Sequence, residues 1–300
     1  MMRIAFLGLG AIGRPMASHL AGAPFELTVW NRSGAKARAF AKHHNVAVAE
    51  SAVEAVKGAE VVITCLPSSV EVLALLSKDG KLIGAIERGA VLLDCTSGDP
   101  ATSRLLASEL EKRGIGFIDA PVSGGVVAAE GGKLTVMWGG DEEVFERVRP
   151  VVEAFGKKIV HCGPVGAGDA LKAVNNALLA VHILSAAEGL ALLKKAGVDP
   201  SVALDVINAS SGRSNSSENL IPQRVLTRAF PRTFRLALLE KDIGIAASLA
   251  TELGVAAPLI ALGAERYAEA RRQLGEEADH VEAVKMIEAE NGVEISDGTA

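Results

Sequence analysis

The chain has 300 residues, enough for two domains, and its 49% hydrophobic and 22% charged residues are the composition of a folded globular protein, which excludes a disordered chain. A net charge of −5 with no basic cluster leaves no footprint for nucleic acid, so no nucleic-acid partner is expected. Three cysteines, Cys65, Cys95 and Cys162, are odd in number and lack metal-ligand spacing, so they read as buried thiols of a reducing, cytoplasmic protein with no metal site.

Residues 3–7, RIAFL, form a short apolar run that ends at a glycine, as a buried parallel strand does. Gly8-Leu9-Gly10-Ala11-Ile12-Gly13 follows, and residues 15–21 read as helix. Strand, GxGxxG and helix in that order predict a cradle for a dinucleotide. Gly8 permits the tight turn, Gly10 lets a pyrophosphate approach the backbone, and Gly13 lets the helix pack close to the strand. The amides at the helix start then face the phosphates. Arg3 and Ala21-Gly22-Ala23 imitate a secretion signal, but Arg14, Pro15 and His19 interrupt the run.

Residues 26–30 predict a second strand, ending in Asn31-Arg32-Ser33. An acid here would hold the ribose 2′-hydroxyl of NAD; Asn31 is neutral and Arg32 offers a planar fork suited to a 2′-phosphate. NADP is therefore the expected cofactor, NAD the lesser one, and an arginine merely exposed in a turn is the competing reading. Residues 61–66 and 91–94 are further strands, opening into Pro67-Ser68-Ser69 and Thr96-Ser97-Gly98-Asp99-Pro100; a helix follows from about 101 to 112. The strand at 116–119 runs into Ala120-Pro121-Val122-Ser123-Gly124-Gly125. Three strand ends thus open into small, hydroxyl- or glycine-rich loops, which suit a carboxylate or an amide better than an apolar ligand. Strands at 134–138 and 159–162 and a helix at 142–155 complete a first domain over 1–162, a mostly parallel sheet covered on both faces.

Residues 163–176, GPVGAGDALKAVNN, form the junction. A helix over 169–195 is predicted there, roughly 40 Å long. Lys172 and Asn176 are four apart and share one of its faces. Two readings of Lys172 stand: a solvated side chain on an exposed first turn, or an amine that exchanges a proton at the positive end of the helix dipole. Residues 177–193 are apolar on nearly every face, which predicts burial all round, by the domains and by a second copy of the chain in a homodimer or homotetramer. His182 reads as a core or interface histidine. Asn175, Asn176, His182 and Glu188 interrupt the apolar stretch, so no membrane span is expected. Beyond Gly197 and Pro200 come a helix at 201–208 and a polar loop or broken helix at 210–219. There Arg213 is either a partner for an acidic substrate or a surface arginine. Helices follow from Phe234, carrying Lys241-Asp242, at 258–274 and at 279–290, before a polar tail expected to fray. Residues 163–300 thus read as an all-helical domain for substrate binding and oligomerisation.

GLGAIGRPM at 8–16, CLP at 65–67, DAPVSGG at 119–125, GAGDALKAVNN at 166–176 and KDIGIA at 241–246 resemble, in order, the signature blocks of the β-hydroxyacid dehydrogenases. The likeness spans the chain and is nearest to the branch acting on 3-hydroxyisobutyrate. It implies a Rossmann-like, doubly wound α/β domain followed by an all-α domain joined through the long helix. It also implies hydride exchange between a nicotinamide and C3 of a small 3-hydroxy acid or semialdehyde. By this resemblance Lys172 is the catalytic lysine and Asn176 orients the substrate. Ser123, Gly124 and Gly125 hold the substrate carboxylate, Thr96 flanks the nicotinamide, Leu66 and Pro67 run along the cofactor, and Lys241 closes over it. Ile12 stands where methionine is common. Reductases of succinic semialdehyde, glyoxylate or tartronate semialdehyde would use the same blocks, differing near Val126, Arg213 or Asn215. A non-catalytic NADP-binding module would be expected to lose the lysine.

Overall fold

The computed structural model describes residues 1–77 and 80–298. It divides into two compact units, Met1–Lys172 and Ala173–Ala300, whose boundary falls inside one helix.

Among the described residues of the first unit, nine strands form one sheet. β1 (Met2–Leu7), β2 (Phe25–Trp30), β3 (Ala47–Val48), β4 (Val61–Thr64), β5 (Val91–Asp94) and β6 (Gly116–Asp119) are parallel, in the order β3-β2-β1-β4-β5-β6. The order reverses between β1 and β4, and ligands of such sheets bind outside the carboxyl ends of the strands at that reversal. β8 (Leu134–Gly139) runs antiparallel to β6 and to the short β7 (Val122–Ser123), and parallel to β9 (Gly156–Gly163). Side chains alternate between two apolar layers: Ile4, Phe6, Val61, Ile63, Val91 and Leu93 enter one, Ala5, Leu7, Val62 and Leu92 the other. Burial on both faces is why these strands read as unbroken apolar runs. Helices α6 (Pro100–Glu111) and α8 (Glu142–Glu153) cover opposite faces, capped by Asp99 and Asp141, which accept the N–H of Thr102 and Val144.

The long helix, α9, runs Ala167–Lys195, starting two residues earlier than its sequence pattern suggests. By length and composition it would serve as a membrane span, with mean hydropathy 1.6 over its most apolar window. Here Ala177, Ala180, Ile183, Ala187 and Leu190 enter the core of the second unit beside Ile243, Tyr267 and Ile287. These come from α11 (Leu236–Glu252), α12 (Pro258–Leu274) and α13 (Ala283–Asn291).

Within the protomer the apolar helix keeps an exposed side, which carries Val174, Leu178, Leu192 and His182, so His182 is not a core histidine of the protomer. Two expectations for this half are corrected. Part of the polar stretch is wound into a π-helix, Ser216–Leu226, which contains Pro222, a residue with no N–H to give an α-helical ladder. As far as residue 298 the tail is packed and not frayed, because Ile295 is buried and gives its N–H to Glu288 Oε1 at 2.7 Å, while Asp297 N–H reaches Leu226 O at 3.2 Å.

Candidate functional site

The three glycines after β1 meet different surroundings. A Cβ on Gly8 would stand 2.4 Å from Cys65 O across the sheet reversal, and its φ of +112° suits only glycine. A Cβ on Gly13 would stand 2.1 Å from Gly8 O. At Gly10 no protein atom lies within 4 Å of that position. Packing therefore accounts for two of the glycines and leaves Gly10 facing open space, the property a pyrophosphate needs of the backbone. Leu9 N–H is held by Asn31 Oδ1 at 2.9 Å, and Asn31 Nδ2 donates to Ser33 O at 3.1 Å. The carboxamide of Asn31 thus fastens the glycine loop to the end of β2. Ala11 and Ile12 continue the loop, and Ile12 supplies no capping side chain to the helix that begins at Gly13. Arg32 and Ser33 are exposed at this turn. Arg38, which sequence reasoning passed over, lies beside them, its guanidinium 3.0 Å from where a Cβ on Gly34 would be.

Three further loops reach the same edge of the sheet. Thr96 is buried: its N–H donates to Asp94 Oδ1 at 3.0 Å, and its hydroxyl accepts the N–H of Leu66 at 3.1 Å. Thr64 Oγ1 donates to the same Asp94 oxygen at 2.8 Å. One carboxylate thus orders the ends of β4 and β5 and sets the course of Leu66, while Pro67 is exposed. Ser123 ends β7 opposite Thr135, and Gly124 and Gly125 follow with φ of +131° and +68°, exposed at the start of α7 (Gly125–Glu130).

Lys172 is 8% exposed, which disposes of the reading as a solvated lysine. It lies on α9 just beyond a set of buried carboxylates. Asp119, at the end of β6, accepts the N–H of Gly166 at 2.7 Å with Oδ1 and that of Asp169 at 3.1 Å with Oδ2. Asp169 accepts Gly98 N–H at 2.9 Å with Oδ1 and the Ser103 hydroxyl at 2.6 Å with Oδ2. Burial pushes the Asp119 carboxyl up to about 6 against its backbone hydrogen bonds. Burial, followed by the charges of Asp119 and Asp94, raises Asp169 as well.

Asn176, one turn beyond Lys172, is 4% exposed. Its Nδ2 donates to Asp242 Oδ2 at 2.6 Å and its Oδ1 accepts from Asn175 Nδ2 at 3.1 Å. Lys241 Nζ lies 2.7 Å from the other oxygen of Asp242, a close ion pair although off the hydrogen-bonding direction. Asp242, which the family resemblance leaves without a role, therefore holds two of the expected site residues together. Arg213 is exposed. Burial pushes the Cys65 thiol up to about 12 and raises Cys95 and Cys162, so none is a ready nucleophile.

Residues 3–163 match the family described as the NAD binding domain of 6-phosphogluconate dehydrogenase. Residues 166–287 match the one described as the NAD-binding domain of NADP-dependent 3-hydroxyisobutyrate dehydrogenase. The chain is 34% identical over 298 residues to 2-(hydroxymethyl)glutarate dehydrogenase of Eubacterium barkeri, covering 99% of this chain and 98% of that protein. It is also 34% identical over 298 residues to the NAD-dependent L-serine dehydrogenase of Pseudomonas aeruginosa, covering 97% and 100%. Among solved structures, the Mycobacterium tuberculosis 3-hydroxyisobutyrate dehydrogenase with L-serine superposes with a TM-score of 0.86 at 34% identity, covering 96% of this chain and 99% of that one.

Proposed function

The chain belongs to the β-hydroxyacid dehydrogenase family of oxidoreductases, and from that premise we propose that it oxidises 3-hydroxyisobutyrate reversibly with NADP. The observation that carries this reading is a lysine buried one helical turn from a buried, oriented asparagine. Lysine is almost never fully buried unless it has a task or a partner.

The substrates named for the relatives share one skeleton, a primary alcohol on the carbon next to a carboxylate, HOCH2–CH(R)–COO⁻. R is methyl in 3-hydroxyisobutyrate, ammonium in L-serine and carboxyethyl in 2-(hydroxymethyl)glutarate. The common part needs a carboxylate site, a proton acceptor and a hydride acceptor; only R needs a member-specific pocket. When bound, the nicotinamide cofactor supplies the hydride acceptor. The glycine loop from Gly8 to Gly13, with Leu66, Pro67, Thr96 and Lys241, would hold it, and Arg32 beside Arg38 suits a 2′-phosphate. Ser123 and the amides at Gly124 and Gly125 bind the substrate carboxylate. Asn176 keeps one amide hydrogen on Asp242 and has a second with which to orient the substrate. Lys172 Nζ accepts the hydroxyl proton as the C–H hydride leaves, and returns it to the carbonyl oxygen in the reverse direction.

The test is turnover of a panel with NADP⁺: 3-hydroxyisobutyrate, L-serine and 2-(hydroxymethyl)glutarate, with succinic semialdehyde, glyoxylate and tartronate semialdehyde assayed as reductions with NADPH. The highest kcat/KM falls on 3-hydroxyisobutyrate, and Lys172→Ala lowers kcat by ~100-fold or more with NADPH affinity kept. Turnover retained in that variant removes Lys172 as the proton carrier. No turnover of any panel member rejects the reading.

A further inference from the structure

Asp119 and Asp169 are buried carboxylates that the proposed chemistry does not use. Burying them is costly, and two close acids raise that cost. The surrounding chain is also cut away to admit them. A Cβ on Gly139 would stand 2.7 Å from Asp119 Oδ1, one on Gly168 would stand 2.8 Å from Asp119 Oδ2, and one on Gly98 would stand 3.0 Å from Asp169 Oδ2. Their partners define a mechanical role. Asp119 takes two amide hydrogens from the start of α9, serving as an N-cap supplied by the end of β6 rather than by the helix itself. Asp169 ties the first turn of α9 sideways to Gly98 and Ser103, in the loop after β5 and the helix that follows it. Lys172 comes three residues after Asp169, on the same helix face.

We propose that Asp119 and Asp169 are positioning residues for Lys172, fixing the height and rotation of the helix start so that the lysine amine stands at one place above the carboxyl ends of β5 and β6. The proposal rests on the reading of Lys172 as the proton carrier. Its reach is large because a displacement of ~1 Å at a reacting group can cost ~100-fold in rate.

The hydrogen-bond directions give a discriminating test. Both partners of Asp119 are backbone N–H groups, which cannot reverse; in Asp119→Asn one of them faces an NH2 group. Asp169 has one N–H partner and one hydroxyl; in Asp169→Asn the Ser103 hydroxyl can turn and accept, so both contacts survive. In Asp119→Asn and Asp169→Ala, hydrogen exchange of the amides over residues 166–172 rises at least ~10-fold while that of 183–190 stays unchanged, because freed amides exchange by local opening. With 3-hydroxyisobutyrate and NADP⁺, kcat in those two variants falls at least ~10-fold with KM within ~3-fold, the split expected when only transition-state geometry is lost. Asp169→Asn remains within ~3-fold of the unchanged protein in both measurements, as its retained hydrogen bonds require. Equal damage in the two asparagine variants would mean that charge and not tethering matters, and overturns the proposal. So does an Asp169→Ala protein with unaltered exchange and kcat. Should the unchanged protein turn over no substrate, the functional reading fails by itself. The exchange measurement, with the rate of acetylation of the Lys172 amine by acetic anhydride, then decides the tether: an unchanged rate in Asp119→Asn overturns it and an altered rate supports it.

Discussion

Two alanine substitutions three positions apart in the chain's first loop, Gly10→Ala and Gly13→Ala, are chemically alike and should have opposite consequences. A methyl group on Gly13 meets Gly8 O at 2.1 Å and Phe6 Cε1 at 3.2 Å. The first obstacle is backbone, so the helix start or the glycine turn must move by about 1 Å to restore ordinary contact. Overpacking of that kind costs ~1–3 kcal/mol, at the upper end here because no rotamer change relieves it. For a unit of this size each kcal/mol is worth ~2–4 °C, so the melting temperature should fall by about 5–12 °C. On Gly10 the same methyl group meets nothing within 4 Å. Stability should then stay within ~0.5 kcal/mol or rise slightly, since alanine has less conformational entropy to lose. The methyl instead occupies the surface a pyrophosphate would use, and the NADPH Kd should rise at least ~10-fold, or ~1.4 kcal/mol. Thermal melts without cofactor and calorimetric titration with NADPH measure the two effects separately. Equal melting losses in both variants, or unaltered NADPH binding by Gly10→Ala, would refute the division of labour among the glycines.

NADPH should bind at least ~10-fold more tightly than NADH, a difference of ~1.4 kcal/mol, and Arg32→Ala should narrow that ratio; equal affinities by titration would refute the arginine assignment. Asp279 is buried, and although burial opposes it, hydrogen bonds from His280 and from the amides of Phe234 and Thr233 hold its carboxyl well below the usual range. A depressed carboxyl stabilises the fold above its unfolded pKa of ~3.9 and loses that contribution as pH falls toward the folded value. Urea midpoints should therefore drop between about pH 5 and pH 2, and less steeply in Asp279→Asn; parallel curves would refute the linkage.

How much of this was legible beforehand depended on the separation in sequence of the cause. β1, β4 and β5 announce themselves because both faces are buried over Ile4–Leu7, Val61–Ile63 and Val91–Leu93, so each of those stretches is wholly apolar. The glycine loop, the Asp99 and Asp141 caps and Pro258 at the start of α12 are local signals read within a few residues. β3 and β7, two residues each, are too short to show a period of two. The π-helix has no periodicity separate from that of an α-helix broken by proline. The tethers were the least visible. Asp119 meets its partners 47 and 50 positions away, Asp169 meets Gly98 across 71, and Asn176 meets Asp242 across 66. An acid beside a strand end or a helix start looks the same in a sequence whether it caps its own helix or holds another one in place.

The residue pattern of α9 has a similar ambiguity, and resolving it leads to a prediction about assembly. A helix apolar on every face must be covered on every face, yet the fold covers only the side bearing Ala177, Ala180, Ile183, Ala187 and Leu190. Leu171, Val174 and Leu178 remain exposed at spacings of three and four, one continuous stripe. We propose that a second copy of the chain covers it. Sedimentation at micromolar concentration should then show a dimer or tetramer. Leu178→Glu should shift the population toward the smaller species. That position is 49% exposed in the protomer, so the substitution should change the protomer's own stability by no more than ~0.5 kcal/mol. A protein that sediments as a stable monomer, or a Leu178→Glu variant that assembles as before, would place the covering surface elsewhere.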